Sequence, residues 1–221
     1  MVPLLILGLL GWTACQPGEV AYIGLVAPFE GRDRAIGYDV IFGARLAVRA
    51  WNAAHPEGPF VMLVALDDQG DPILAQGRAR QIVAYPHLMG VIGHFRPETT
   101  WAAAPIYRAA GIPWIAPLLP ADRIPEGAWP TAPDQRTMAR ALLQVLPHEG
   151  RRRLWIVHDE EEQWFGPGLA TFFHEQGWEV REAPWEKAAP RGEEPVLFDG
   201  RAIHAGEAAR RWRQEGWRGL L

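Results

Sequence analysis

Apolar positions along the chain alternate between two kinds of segment. Short runs at 20–26, 60–66, 88–92, 113–117, 154–157, 178–180 and 196–198 read as buried strands. Between them, 38–52, 72–84, 98–110, 135–146, 167–175 and 205–215 place apolar residues three and four apart, which is helix spacing. Met138, Ala141, Leu142, Val145 and Leu146 form one such stripe. Strands that alternate with helices of this length predict βαβ units on parallel sheets, an α/β fold.

The punctuation agrees with that reading. Asp71 followed by Pro72 marks a helix start, because the carboxylate can accept from free N–H groups and proline at the first helical position loses no bond. Pro133 and Asp134 open the fourth helix in a similar way. Gly111, Gly177 and Gly216 each follow a helix, where a left-handed residue ends it at low cost. Pro105 lies inside the third helix and predicts a kink or a late start. Residues 118–133 are proline-rich and irregular, and they divide the chain. The expected organisation is an N-terminal α/β lobe at 20–117, a crossover at 118–133, and a partial second lobe at 134–221. Two such lobes joined by a crossover make a clamp able to close on a ligand.

The start of the chain reads differently. Residues 1–10 are apolar, small residues follow, and the only cysteine is Cys15. The run is too short to span a bilayer, which needs about 20 apolar residues. The pattern predicts a signal peptide at 1–14, lipidation of Cys15 as the new N-terminus, and a tether at 15–19. The competing reading is a buried N-terminal strand with an incidental cysteine.

Composition narrows the function classes. The 221 residues are 48% hydrophobic and 22% charged, enough for a real core. A formal net charge of -4 provides no basic face for nucleic acid. One cysteine precludes a disulfide within the chain. The sequence contains no serine, which excludes a serine nucleophile, and Lys187 is its only lysine. No phosphate-binding glycine motif is present, and the scattered histidines form no metal-ligand spacing. Neither an enzyme, a cofactor nor a bound metal is expected.

Particular segments resemble a known family. Ile23-Gly-Leu-Val-Ala-Pro-Phe-Glu-Gly31 and then Phe42-Gly-Ala-Arg-Leu-Ala-Val-Arg-Ala-Trp-Asn52 resemble the opening of the leucine/isoleucine/valine-type solute-binding proteins. These are type I periplasmic binding proteins of ABC transporters. Ala65-Leu-Asp-Asp-Gln-Gly-Asp-Pro72, Val91-Ile-Gly-His94, Ala110-Gly-Ile-Pro-Trp-Ile-Ala-Pro117 and Ile156-Val-His-Asp159 continue the likeness. The resemblance implies two Rossmann-like lobes, the second incomplete, since members usually run well past this length. It also implies export, a small polar, amino-acid-like ligand held between the lobes, and docking to a membrane permease.

At the ligand positions the chain departs from that pattern. The family takes the ligand carboxylate on hydroxyls and N–H groups of a Ser/Thr-rich turn after the third strand. Here that turn is His94-Phe-Arg-Pro-Glu-Thr-Thr100, with Pro97 aligned to the key serine. Pro120, in Leu118-Leu-Pro120, falls near a second hydroxyl position, and Phe165 falls where the second lobe carries a tyrosine. Proline has neither hydroxyl nor N–H, so two donors are lost. The expected ligand residues are therefore Arg96, Thr99, Thr100, Leu118, Phe165 and Arg201. Four of them have a competing reading. Arg96 can pair with Glu98, Thr99 and Thr100 can cap the third helix, and Phe165, with Trp164, can close over the lobe's core. His94 reads as a hydrogen-bonded structural residue. Glu30, Arg32 and Asp33 rim the same edge, and the acidic run 158–162 reads as a solvated loop. Trp101, Trp129 and Trp212 are expected to form an exposed patch. Beside the transport reading stand a lipoprotein of the same fold acting as sensor or scaffold through protein contacts, and a truncated non-functional form.

Overall fold

A computed structural model describes residues 19–146, 152–160, 165 and 168–221. Its first part contains β1 (Val20–Ala27), α1 (Arg34–Ala54), β2 (Phe60–Asp67), α2 (Pro72–Val83), β3 (Leu88–Ile92), α3 (Pro97–Ala110), β4 (Trp114–Ala116) and β5 (Ala128–Pro130). Its second contains α4 (Gln135–Val145), β6 (Arg153–His158), α5 (Gly168–Glu175), β7 (Glu179–Pro184), β8 (Val196–Asp199) and α6 (Ala202–Gln214). The strands form two sheets, ordered β2-β1-β3-β4-β5 and β7-β6-β8, with every pairing parallel.

Two local expectations change. The first sheet has five strands, because Ala128–Pro130 inside the crossover pairs in parallel with β4. A three-residue segment carrying a proline has no readable period, and only its place beside β4 makes it a strand. The third helix does not start late. It begins at Pro97, at the first helical position, and runs through Pro105. Pro105 removes one bond from the ladder, while burial of Ala103, Ala104 and Tyr107 holds the helix in place. Elsewhere the punctuation acts as expected. Asp71 accepts from the N–H groups of Ile73 and Leu74 at 2.8 and 2.9 Å, and Asp134 accepts from Thr137 at 2.7 Å. Gly111 ends α3 at φ 64°.

Both faces of the first sheet are apolar, but they are covered unequally. α2 and α3 close one face over Val26, Ile82, Val91, Tyr107 and Trp114. On the other face α1 packs Ile36, Val40, Ile41 and Ala44 against Leu25 and Ala27 of β1 and Leu63 of β2. Beyond α1 this face continues as a hollow of about 490 Å³ lined by Ala47, Trp51, Met89 and Ile92, and a second of equal size lined by Ile92, Ile115 and Trp129. The three-stranded sheet is covered on both faces. Leu154, Ile156, Phe172, Phe173 and Trp178 form one core, and Val157, Val196, Trp212 and Trp217 form the other. Each such buried side chain contributes about 1.5–3 kcal/mol. Trp212 is fully buried, with its indole N–H donating to the Ala188 carbonyl at 2.8 Å, so it leaves the expected exposed patch. Trp101 and Trp129 are exposed.

The outer edge of β2 is closed by a side chain. Asn52 of α1 donates to the Val61 carbonyl and accepts from the Val61 N–H, both at 2.9 Å. Its amide takes the place of a neighbouring strand on an apolar edge that carries no charge before Asp67.

Candidate functional site

In a doubly wound sheet, ligands sit outside the carboxyl ends of the strands, where the strand order reverses. The first sheet reverses between β1 and β3, and the second between β6 and β8. Both edges are built from short loops joining a strand to the following helix.

At the first edge, three loops are tied together by aspartates. Asp67 ends β2, and its Oδ1 accepts from the N–H groups of Phe29, Glu30 and Gln69 at 2.7, 3.3 and 2.9 Å. Asp68 is fully buried; it accepts from the Gly70 N–H at 2.9 Å and lies 2.6 Å from His94 Nδ1. His94 Nε2 lies 3.0 Å from the Tyr107 hydroxyl. Burial, and then the negative charge of Asp68, push the Tyr107 phenol far above its ordinary range, so it stays an O–H donor. The chain Tyr107–His94–Asp68 anchors the 94–97 turn from beneath. His94 is structural and does not reach the surface.

Arg96 stands above this network as the N-cap residue of α3. Its Nη1 pairs with Asp33 Oδ2, and its Nε lies 3.5 Å from Glu98 Oε2. Gly70, at φ 69°, leaves room for the pair. A Cβ there would come within 3.1 Å of Arg96 Cδ and 3.4 Å of Asp33 Oδ2. The hydroxyls of Thr99 and Thr100 turn inward. Thr99 donates to the Arg96 carbonyl at 3.1 Å, and Thr100 to the carbonyls of Arg96 and His94 at 2.7 and 3.1 Å. α3 has no side-chain cap bond, so neither threonine caps it in the usual sense. Leu118 is exposed just past β4, on the neighbouring strand end.

The second edge repeats the plan. Asp159, at the end of β6, is almost fully buried. Arg201 Nε donates to Asp159 Oδ2 at 2.7 Å and Nη2 to Oδ1 at 3.2 Å, while His204 Nδ1 lies 2.8 Å from Oδ2. The His204 ring stacks on Trp185, which follows β7, with centroids 4.7 Å apart. Asp199 ends β8 and accepts from the Phe165 N–H at 3.1 and 3.2 Å. The Phe165 side chain packs on the core around Phe172 and Phe173. Gly200 backs Asp159 as Gly70 backs Arg96; a Cβ there would collide with the Asp159 Cβ.

Arg96, Thr99 and Thr100 thus occupy one turn with Leu118 beside it, and Phe165 and Arg201 share the Asp159–Asp199 edge. Cys15, Trp164 and residues 161–162 lie outside the described residues. Sequence reading missed Asp68, Tyr107, His204 and Trp185, because each gains its place through a partner 13 or more residues away. Asp68, within Ala65–Pro72, was the one with a legible position. Among the described residues, no group of three His, Cys, Asp or Glu side chains is arranged to hold a metal.

Comparison with known proteins agrees with this architecture. The periplasmic binding protein family matches residues 21–179. The chain belongs to the periplasmic binding protein family. It is 27% identical over 219 residues to an amino acid binding protein of Pseudomonas aeruginosa, covering 88% of this chain and 57% of that protein. It is 28% identical over 171 residues to a Leu/Ile/Val-binding protein homolog of Brucella abortus, covering 70% of this chain and 43% of the relative. Among solved structures, the branched-chain amino acid transporter substrate binding protein LivJ of Streptococcus pneumoniae, in complex with isoleucine, superposes with TM-score 0.73 at 19% identity. That match covers 91% of this chain and 63% of LivJ. A solute binding protein of R. palustris in complex with 4-hydroxybenzoate superposes at 0.59 and 17% identity, covering 92% and 54%. The chain therefore spans about half the length of the curated relatives it matches.

Proposed function

We propose that the protein is a non-catalytic, exported solute-binding component of an ABC-type uptake system. It holds a small polar ligand, amino-acid-like or related, between its two lobes and delivers it to a membrane permease. Lipidation of Cys15 tethers it at the outer face of the cell envelope or in the periplasm. The observation that carries the reading is the repeated edge. Each parallel sheet presents a held guanidinium, Arg96 or Arg201, at the switch point where α/β proteins receive ligands. Leu118 supplies exposed apolar surface at the first edge, and the Phe165 backbone is tied to Asp199 at the second.

A thermal shift on residues 16–221 against amino acids, small carboxylates, amides and polyamines tests this. A solute at 100 times its dissociation constant stabilises the folded state by about 2.7 kcal/mol, which is roughly 5–10 °C for a chain of this size. A cooperative transition that no compound moves counts against solute binding. The anchor is tested separately: Cys15→Ala should release the full-length protein from membranes and abolish incorporation of labelled fatty acid.

The second reading, a sensor or scaffold working through protein contacts, is favoured by one observation. The α1 face of the first sheet exposes Trp51, Met89 and Trp129 around two adjoining apolar hollows, more apolar surface than isolated residues present.

A further inference from the structure

The two edges share a detail that bears on the charge of the solute. Arg96 and Arg201 occupy the same place in their lobes. Each is the N-cap residue of the helix that follows the third strand, in extended conformation and without a side-chain cap bond. Their side chains are 11% and 12% exposed. Each is held by an aspartate from the loop after the first strand of its sheet, Asp33 or Asp159. For helix stability alone this is a poor choice. N-caps favour Ser, Thr, Asp and Asn, and a guanidinium adds positive charge where the helix dipole is already positive.

We propose that the solute is a small dicarboxylate, with one carboxylate read by Arg96 and the other by Arg201. The inference rests on the solute-binding reading above and specifies its ligand. Around Arg96 the hydroxyl donors are already used. The Thr99 and Thr100 hydroxyls are committed to carbonyl oxygens, and Pro97 and Pro120 offer no N–H. A guanidinium carries five N–H donors in a planar fork and accommodates carboxylates on more than one edge. Arg201 gives Asp159 its Nε and one terminal nitrogen. The aspartate fixes the plane of the fork, and a solute carboxylate approaches the opposite edge in exchange for the contacts made there. One guanidinium per lobe makes a bridging dianion the ligand that gains most from closure. A monocarboxylate satisfies one lobe only.

Calorimetric titration and thermal shift with succinate, glutarate and adipate test this, with butyrate, leucine and putrescine as contrasts, on the wild type and on Arg96→Gln and Arg201→Gln. One dicarboxylate should bind at least 100-fold tighter than butyrate, with each Arg→Gln change weakening it at least tenfold. Because either change also removes a guanidinium from its aspartate, Asp33→Asn serves as the second variant. It keeps the Arg96 charge and should hold or tighten dicarboxylate affinity, whereas a merely structural pair would lose binding in both variants. If leucine or putrescine binds and the Arg→Gln variants bind it unchanged, the dicarboxylate assignment is overturned while solute binding stands. If none of the compounds binds, both are overturned.

Discussion

The two sheets share a plan and differ in how they are covered. β2-β1-β3 and β7-β6-β8 have the same order, the same switch point, and the same Arg–Asp pair beside it. Yet the three-stranded sheet buries tryptophans on both faces, while the five-stranded sheet leaves two apolar hollows on one face. A parallel sheet is ordinarily covered on both faces because its strands are apolar throughout. Core quality in this molecule therefore follows coverage rather than strand number. The edges differ too. The first rests on a fully buried Tyr107–His94–Asp68 chain, whereas the second is held by Arg201 and a His204 ring that remains partly accessible.

The largest effect should come from exchanging tryptophans between these settings. Trp212→Ala removes a side chain that is 0% exposed and the indole donor to the Ala188 carbonyl, which keeps only the longer bond from Arg211 at 3.2 Å. A loss of about 3–5 kcal/mol is expected in chemical denaturation. Trp129→Ala, at a position 67% exposed, should stay within about 0.5 kcal/mol. Equal losses at the two sites would mean that the open face is covered in solution.

His94→Phe tests the first edge. It keeps the ring volume and strands the Asp68 carboxylate in a fully buried site. Leaving a buried polar oxygen without its hydrogen-bond partner costs about 1–3 kcal/mol. A urea midpoint unchanged from wild type would refute the anchoring role of this network.

Asn52→Ala opens the edge of β2. Losing both bonds to Val61 should cost about 1–2 kcal/mol. It should also bring concentration-dependent association in light scattering, which Asn52→Asp, with its charge at the edge, should not.

The smallest effect concerns acid. The Asp134 carboxyl is held below its ordinary range by the Thr137 N–H, and Glu179 by the Arg153 guanidinium. A carboxyl lowered in the folded state stabilises it above the unfolded pKa, about 4, and that contribution is lost as pH falls through the lower folded value. A shallow decline in Tm below about pH 4 is expected, reduced in Asp134→Asn. Both groups lie at the surface, so salt should weaken the effect.

Much of the fold was legible in the residues themselves. The strand and helix segments, the Asp71 and Asp134 starts and the Gly111 stop depend on spacing and on local hydrogen bonds within a few residues. The resemblance carried by the segments from Ile23 to Pro117 located the edge loops and singled out Arg96. It did not reveal that Arg96 meets Asp33, because those residues are 63 positions apart and many acids compete for one guanidinium. Nor could a lone Trp212 declare itself core rather than surface.

The sequence by itself determined the parallel α/β class, the order of elements and the chemistry on offer, since periodicity and turn residues act over short range. Tertiary structure alone decided three things: that 128–130 joins the first sheet, that the threonine hydroxyls face carbonyl oxygens, and that an aspartate holds an arginine beside each switch point. Each requires groups far apart in the chain to meet. Only the packed sheets, with both desolvation and geometry in force, select those partners from the many the sequence allows.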